Sequence, residues 1–247
     1  MVDVKEILHV MEQMAPPSLA EEWDNVGLLV DCGKPVQNVL VTLDVTKEVV
    51  EEAKEKNCGL IVSHHPVIFK PLKNISSYDI VYELVKNDIS VICMHTNLDT
   101  AENGVSDTLA KELGLQSIKP FAGGGRIGEL PQETTTESLA KWCREEWNTH
   151  VAYCDAGGHI KFLAVVGGAG GDFFEKAVLA GADCLLTGEV GHHDALDAKA
   201  LGLSTIAATH FATEFFVVPV VAKKLRTAFP NVNVYVTKKN KELFCYL

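Results

Sequence analysis

No CxxC pair occurs in this 247-residue chain, although it holds seven cysteines. They are scattered (Cys32, Cys58, Cys93, Cys143, Cys154, Cys184 and Cys245), and several sit inside apolar runs such as Val91-Ile92-Cys93-Met94. An odd, scattered set argues against a disulfide framework and for buried free thiols in a reducing compartment. No apolar run approaches the roughly 20 residues of a membrane span. The N-terminus, MVDVKEILHVMEQM, is amphipathic and acidic and does not read as a signal peptide. A cytoplasmic protein is expected. Lys/Arg runs are also missing, and 22 basic against 33 acidic residues give a formal charge of −11. That charge disfavours sequence-independent binding of nucleic acid. The glycine run 167–171 does not fit GxGxxG, and no nucleophile elbow surrounds Ser63.

What is present is an alternation of short apolar strands and amphipathic helices. Val4, Ile7, Leu8 and Met11 fall on one helical face over residues 3–14, and Pro16-Pro17 ends that helix. Strands are expected at 39–43, 60–63 and 89–94, with helices at 47–56 (capped by Thr46), 78–87 and 105–113 between and after them. The scheme recurs with strands at 161–166, 183–186 and 204–208 and helices at 172–180 and 194–201. Parallel βαβ units with right-handed crossovers follow. Residues 115–160 read as a linking region: FAGGGRIGELPQ as loop, then a helix over 136–147.

The two halves can be laid over one another. VVEEAKEKNCGLIVSHH matches FFEKAVLAGADCLLTGE in pattern, and ISVICMHTNLD matches LSTIAATHFATE. His95 then falls opposite His210, and Asp99 opposite Glu214. Any two βαβ units look broadly alike, but here histidine and carboxylate are in register too, which favours an internal duplication. The expected fold is therefore α/β, two related βαβ-containing halves (1–125 and 126–247) with mainly parallel strands. A metal site is expected at the strand C-terminal ends between the halves.

Ligands bind outside the carboxyl ends of parallel strands. Those ends carry His64, His65, His95, Asp99, Glu189, His210 and Glu214. Imidazoles and carboxylates are ligands for Zn, Fe and Mn, and a paired site lowers the pKa of a bridging water. Taken singly, a His-His pair or an H-x-x-x-D match is ordinary, and a polar loop cluster is the competing reading. The glycine run 167–171 reads as a tight turn with Asp172 as helix N-cap rather than as a phosphate loop. His192-His193 either starts a helix in solvent or lines the same cleft.

EEWDNVGLLV, IVSHHPVIFKPLK, HTNLDTAENGVSDTLAKELGL, ADCLLTGEVGHHDALDA and THFATE, in this order, resemble the NIF-three-like family. That family is also called GTP cyclohydrolase I type 2 or dinuclear metal centre proteins. The resemblance runs from about residue 6 to the C-terminus, in the compact form without an inserted domain. It implies two divalent ions per chain, Zn, Fe or Mn, held by His64, His65, Asp99, His210 and Glu214. It leaves His95 as an outer or substrate group, and it implies a toroidal homohexamer. Two departures are Thr209, where the family usually has Gly, and Ser106, where it often has Asn. The resemblance implies a dinuclear metal-dependent hydrolase whose physiological substrate stays open, with attack at C8 of guanine if the GTP cyclohydrolase label holds, and with His95, Glu189 or His192 as general acid or base. The alternative is a metal-bearing scaffold that binds other proteins such as transcription regulators.

Overall fold

The computed structural model describes residues 1–121 and 124–246. The strands are β1 (Gly27–Val30), β2 (Asn38–Thr42), β3 (Leu60–Ser63), β4 (Ser90–Cys93), β5 (Gln116–Pro120), β6 (Arg126–Thr134), β7 (Ala152–Cys154), β8 (Ile160–Val165), β9 (Cys184–Thr187), β10 (Ser204–Ala207) and β11 (Asn233–Val236). The helices are α1 (Val4–Met14), α2 (Lys47–Glu55), α3 (Ile80–Lys86), α4 (Thr96–Thr100), α5 (Val105–Glu112), α6 (Thr136–Glu146), α7 (Phe174–Leu179), α8 (His192–Ala200), α9 (His210–Glu214) and α10 (Val217–Ala228). None is long and apolar enough to cross a membrane.

The chain divides into two compact units: residues 1–102 with 217–241, and residues 103–216 with 242–247. This differs from the expected division at 125/126. The physical reason is that α10 and β11 return to the first unit. β11 pairs in parallel with β2, Val234 opposite Val39, and the inner face of α10 buries Val217, Val218, Val221 and Leu225.

The first unit holds the sheet β1-β4-β3-β2-β11. Its central strands are buried at every position in β3 and β4, as strands covered on both faces must be. Thr42, Ser63 and Cys93 stand side by side in the parallel register, so three chain segments leave the sheet at one level. Thr46 caps α2 as the sequence predicts, its side chain accepting from the Val49 amide.

The second unit holds the sheet β5-β6-β8-β9-β10-β7, in which β8, β9 and β10 are parallel. The parallel run β2-β3-β4 of the first unit, which β11 extends, matches β8-β9-β10 of the second, and each ends on an antiparallel partner, β1 on β4 in one and β7 on β10 in the other. The shared order supports the duplication read from the sequence. The linking region differs from expectation. The stretch expected as loop holds β6, whose Arg126, Gly128 and Leu130 point inward while Ile127 and Glu129 are half exposed. Its glycines hide a period-two pattern that the flanking β5 and β8 complete. Of that stretch, Ala122 and Gly123 lie outside the described residues. Asp172 is not an N-cap: it lies inside a short 3-10 turn, Gly171–Phe173, that precedes α7.

Candidate metal centre

In the first unit, the residues after β2, β3 and β4 are Asp44, His64-His65 and His95. Pro66 restricts the residue before it to extended backbone. The histidine pair is also tied down by its own amides. His64 N–H donates to the Thr42 carbonyl at 3.2 Å and His65 N–H to the Leu43 carbonyl at 3.0 Å. The buried Cys93 thiol donates to the His64 carbonyl at 3.0 Å. Burial pushes that thiol well above its ordinary value, so it stays protonated and is no thiolate ligand.

The imidazoles are fixed through one nitrogen each. His64 Nδ1 lies 2.8 Å from the Met94 carbonyl oxygen. A carbonyl only accepts, so Nδ1 carries the proton and Nε2 keeps the lone pair. His65 Nδ1 lies 2.7 Å from Asp44 Oδ1, and His95 Nδ1 lies 2.8 Å from Asp24 Oδ1. The outward nitrogens converge: one ligand atom from each of His64, His65 and His95 falls within 4.8 Å of the others. Asp99, on α4, brings Oδ1 to 3.4 Å from His64 Nε2. That is about the separation of two ligand atoms on one ion with bonds of ~2.1 Å in tetrahedral geometry.

Electrostatics around His95 reinforce this. Burial and the neighbouring His64 push its pKa down, against the pull of Asp24, so the neutral ring is favoured. Burial pushes the Asp24 carboxyl up, but hydrogen bonds from Thr96 and His95 outweigh it and hold the group below its ordinary value.

In the second unit, His210 and Glu214 share one face of α9, four residues apart. His210 Nε2 lies 3.1 Å from Glu214 Oε2, and Nδ1 lies 2.7 Å from Glu189 Oε1. Glu214 is buried, 4% exposed, whereas Glu189 is open to solvent. A buried carboxylate is costly unless a cation or donors meet it. Glu189 meets His210 on the Nδ1 side, away from Glu214. His192, exposed at the start of α8, joins none of the ligand groupings found among the described residues.

The donor set fits a metal. It offers imidazole nitrogens in a fixed tautomer and carboxylate oxygens, with hydrogen-bonded outer groups of the kind that hold ligand rings in place.

Residues 2–242 match the family described as Duf34/NIF3 (NGG1p interacting factor 3). The chain belongs to the Duf34/NIF3 family. A relative in Clostridium acetobutylicum, named GTP cyclohydrolase 1 type 2 homolog, is 36% identical over 94% of this chain and 92% of its own. A Staphylococcus aureus hypothetical protein of known structure is 30% identical, with a TM-score of 0.93, covering 100% of this chain and 99% of that one. A Bacillus cereus protein related to NIF3 has the same fold, with a TM-score of 0.93 at 24% identity over 99% of each chain.

Within this Duf34/NIF3 member the sequence reading missed the residues that orient the candidate ligand imidazoles. Asp24 sits in the EEWDN segment, which carried the resemblance but no assigned role. Asp44 follows β2 as His65 follows β3, a position that strand-end reasoning could have found. Gly168 was read as part of a turn. A Cβ there would collide with Glu214 Oε1 and lie 3.0 Å from His210 Nε2, so the glycine gives these two side chains their room.

Proposed function

We propose that this chain is a dinuclear metal-dependent hydrolase acting on a nucleotide, as the name of its relatives suggests. The observation that carries the reading is the pinning of four imidazoles through Nδ1, which leaves each Nε2 as a neutral donor. His64, His65, Asp99, His210 and Glu214 would hold two divalent ions of Zn, Fe or Mn, the carboxylates offsetting their charge. Bound ions of this kind supply Lewis acidity and bring the pKa of water toward 7. His95, held by Asp24, is assigned to proton transfer at the reacting atoms. Glu189 orients His210, and His192 is assigned to substrate rather than metal. If guanine is the target, water adds at C8, the ring opens, and a second hydrolysis releases formate.

The test is metal content per chain after reconstitution with Zn, Fe or Mn, followed by formate and phosphate release from GTP. About two ions per chain in the wild type, falling in His64→Ala and Glu214→Ala, supports the site. A wild type that takes up none of the three metals overturns it. Full loading without turnover of any nucleotide shifts the weight to the protein-binding scaffold. A cytoplasmic toroidal homohexamer is proposed on family grounds, and a monomer in sedimentation velocity would remove it.

A further inference from the structure

Residues 237–240 return to the end of the first sheet where Asp44 and His65 lie. Beyond β11, Thr237 N–H still donates to the Val41 carbonyl at 2.9 Å, continuing the parallel ladder. The chain then turns, and β11 offers no backbone group to the amides of Leu43 and Asp44, which follow β2. The Asn240 side chain takes that place. Its Oδ1 accepts from Leu43 N–H at 2.7 Å and from Asp44 N–H at 3.1 Å, and its amide nitrogen donates to the Asp44 carbonyl at 3.2 Å. Thr42 Oγ1 lies 2.6 Å from the same Oδ1. A carboxamide has the shape and polarity of a peptide unit, so it holds both backbone groups of Asp44 as a strand neighbour would.

The turn that presents Asn240 is itself fixed. Glu52, 3% exposed, accepts from Thr237 Oγ1 at 2.6 Å and from Lys238 N–H at 3.1 Å. The connection therefore runs from a buried glutamate on α2, through the tail, to the backbone of Asp44, and from the Asp44 carboxylate to His65 Nδ1.

We propose that Asn240 is a positioning residue for the metal centre: it fixes the Asp44 backbone so that the Asp44 carboxylate holds His65 in the Nδ1–H tautomer, which puts the lone pair on Nε2. The inference rests on the metal reading for its purpose, but its geometry concerns His65 alone. A side chain that merely closed the tail would affect stability and nothing at the imidazole.

The experiment compares wild type, Asn240→Ala, Asn240→Asp and Asp44→Asn. The first readout is the His65 ring tautomer, from long-range 1H–15N correlation on metal-free protein. The second is Zn²⁺ affinity by competition with a chromophoric chelator. Asn240→Asp keeps the acceptor and replaces the donor to the Asp44 carbonyl, so it guards against a fold lost on truncation. Expected is a wild-type His65 held as the Nδ1–H form and a mixed tautomer in the Asn240 variants. Zn²⁺ should bind them about 10-fold more weakly, the low end for outer-shell substitutions. Adding Asn240→Ala to Asp44→Asn should cost little more, since both act through one connection. An unchanged His65 tautomer and unchanged Zn²⁺ affinity in a folded Asn240 variant would overturn the proposal. A wild type that binds no Zn²⁺ defeats the metal reading instead, and the tautomer readout still decides the role of Asn240.

Discussion

Glu189 Oε1 accepts a hydrogen bond from His210 Nδ1 at 2.7 Å, and 57% of the Glu189 side chain is exposed. An exposed pair contributes about 0–1 kcal/mol to stability. Its effect should therefore lie in orientation. Glu189→Ala is expected to leave the thermal midpoint of the metal-free protein nearly unchanged while lowering metal affinity by ~10–100-fold. Calorimetry and chelator competition on the same samples check both halves. Unchanged affinity would remove Glu189 from the site.

Thr209 has φ +63° and ψ 147°, a region that only glycine enters freely. The strain is offset in part by its side chain, which accepts from Ala212 N–H at 3.3 Å and lies 3.0 Å from Thr149 Oγ1. Such a backbone costs on the order of 1–3 kcal/mol, and a lost cap about 1 kcal/mol. Thr209→Gly removes both the strain and the cap. Thr209→Ala removes only the cap. The glycine variant should thus be more stable than the alanine variant by about 1–2 kcal/mol in urea unfolding. The reverse order would show that no strain is held there.

Much of this was legible in the sequence, for local reasons. β3 matches its expected span, and all five residues assigned as metal ligands lie after the strands expected to present them. Apolar runs and helical spacing are short-range signals. What escaped depended on contacts distant in the chain. Asp24 meets His95 across 71 residues, and Asn240 meets Asp44 across 196. β6 was hidden because its glycines read as loop until β5 and β8 flank it. The return of α10 and β11 to the first unit has no local signature at all.

Gly168 has φ +65°, and a Cβ placed there meets Glu214 and His210. Gly168→Ala should therefore act twice. The backbone conformation alone costs on the order of 1 kcal/mol or more. The side chain displaces two proposed ligands, so metal retention after dialysis should fall below that of wild type. Gly181, at φ +82° with open space around its Cβ position, is the control. Gly181→Ala should lose comparable stability and keep its metal. Equal metal retention in the two variants would show that the Gly168 contact does not matter to the site.

The buried thiols give the stability a defined dependence on alkaline pH. Burial pushes Cys58 and Cys143 up to about 12 and Cys184 well above the ordinary value of 9.0. In the unfolded chain these thiols lose their protons near pH 9, while in the folded chain they keep them. The unfolded state then binds fewer protons, so stability falls as pH rises. The contribution is fully present below pH 9 and is lost through the window from 9 toward 12, at about 1.4 kcal/mol per pH unit for each thiol. Urea midpoints measured between pH 8 and 10.5 should decline in the wild type and less steeply in Cys58→Ala/Cys143→Ala. The same burial predicts the order of alkylation. Exposed Cys245 should react in the native protein, and the four buried thiols, Cys58, Cys93, Cys143 and Cys184, only with denaturant. Parallel pH slopes in wild type and double variant would mean that these thiols titrate alike in both states.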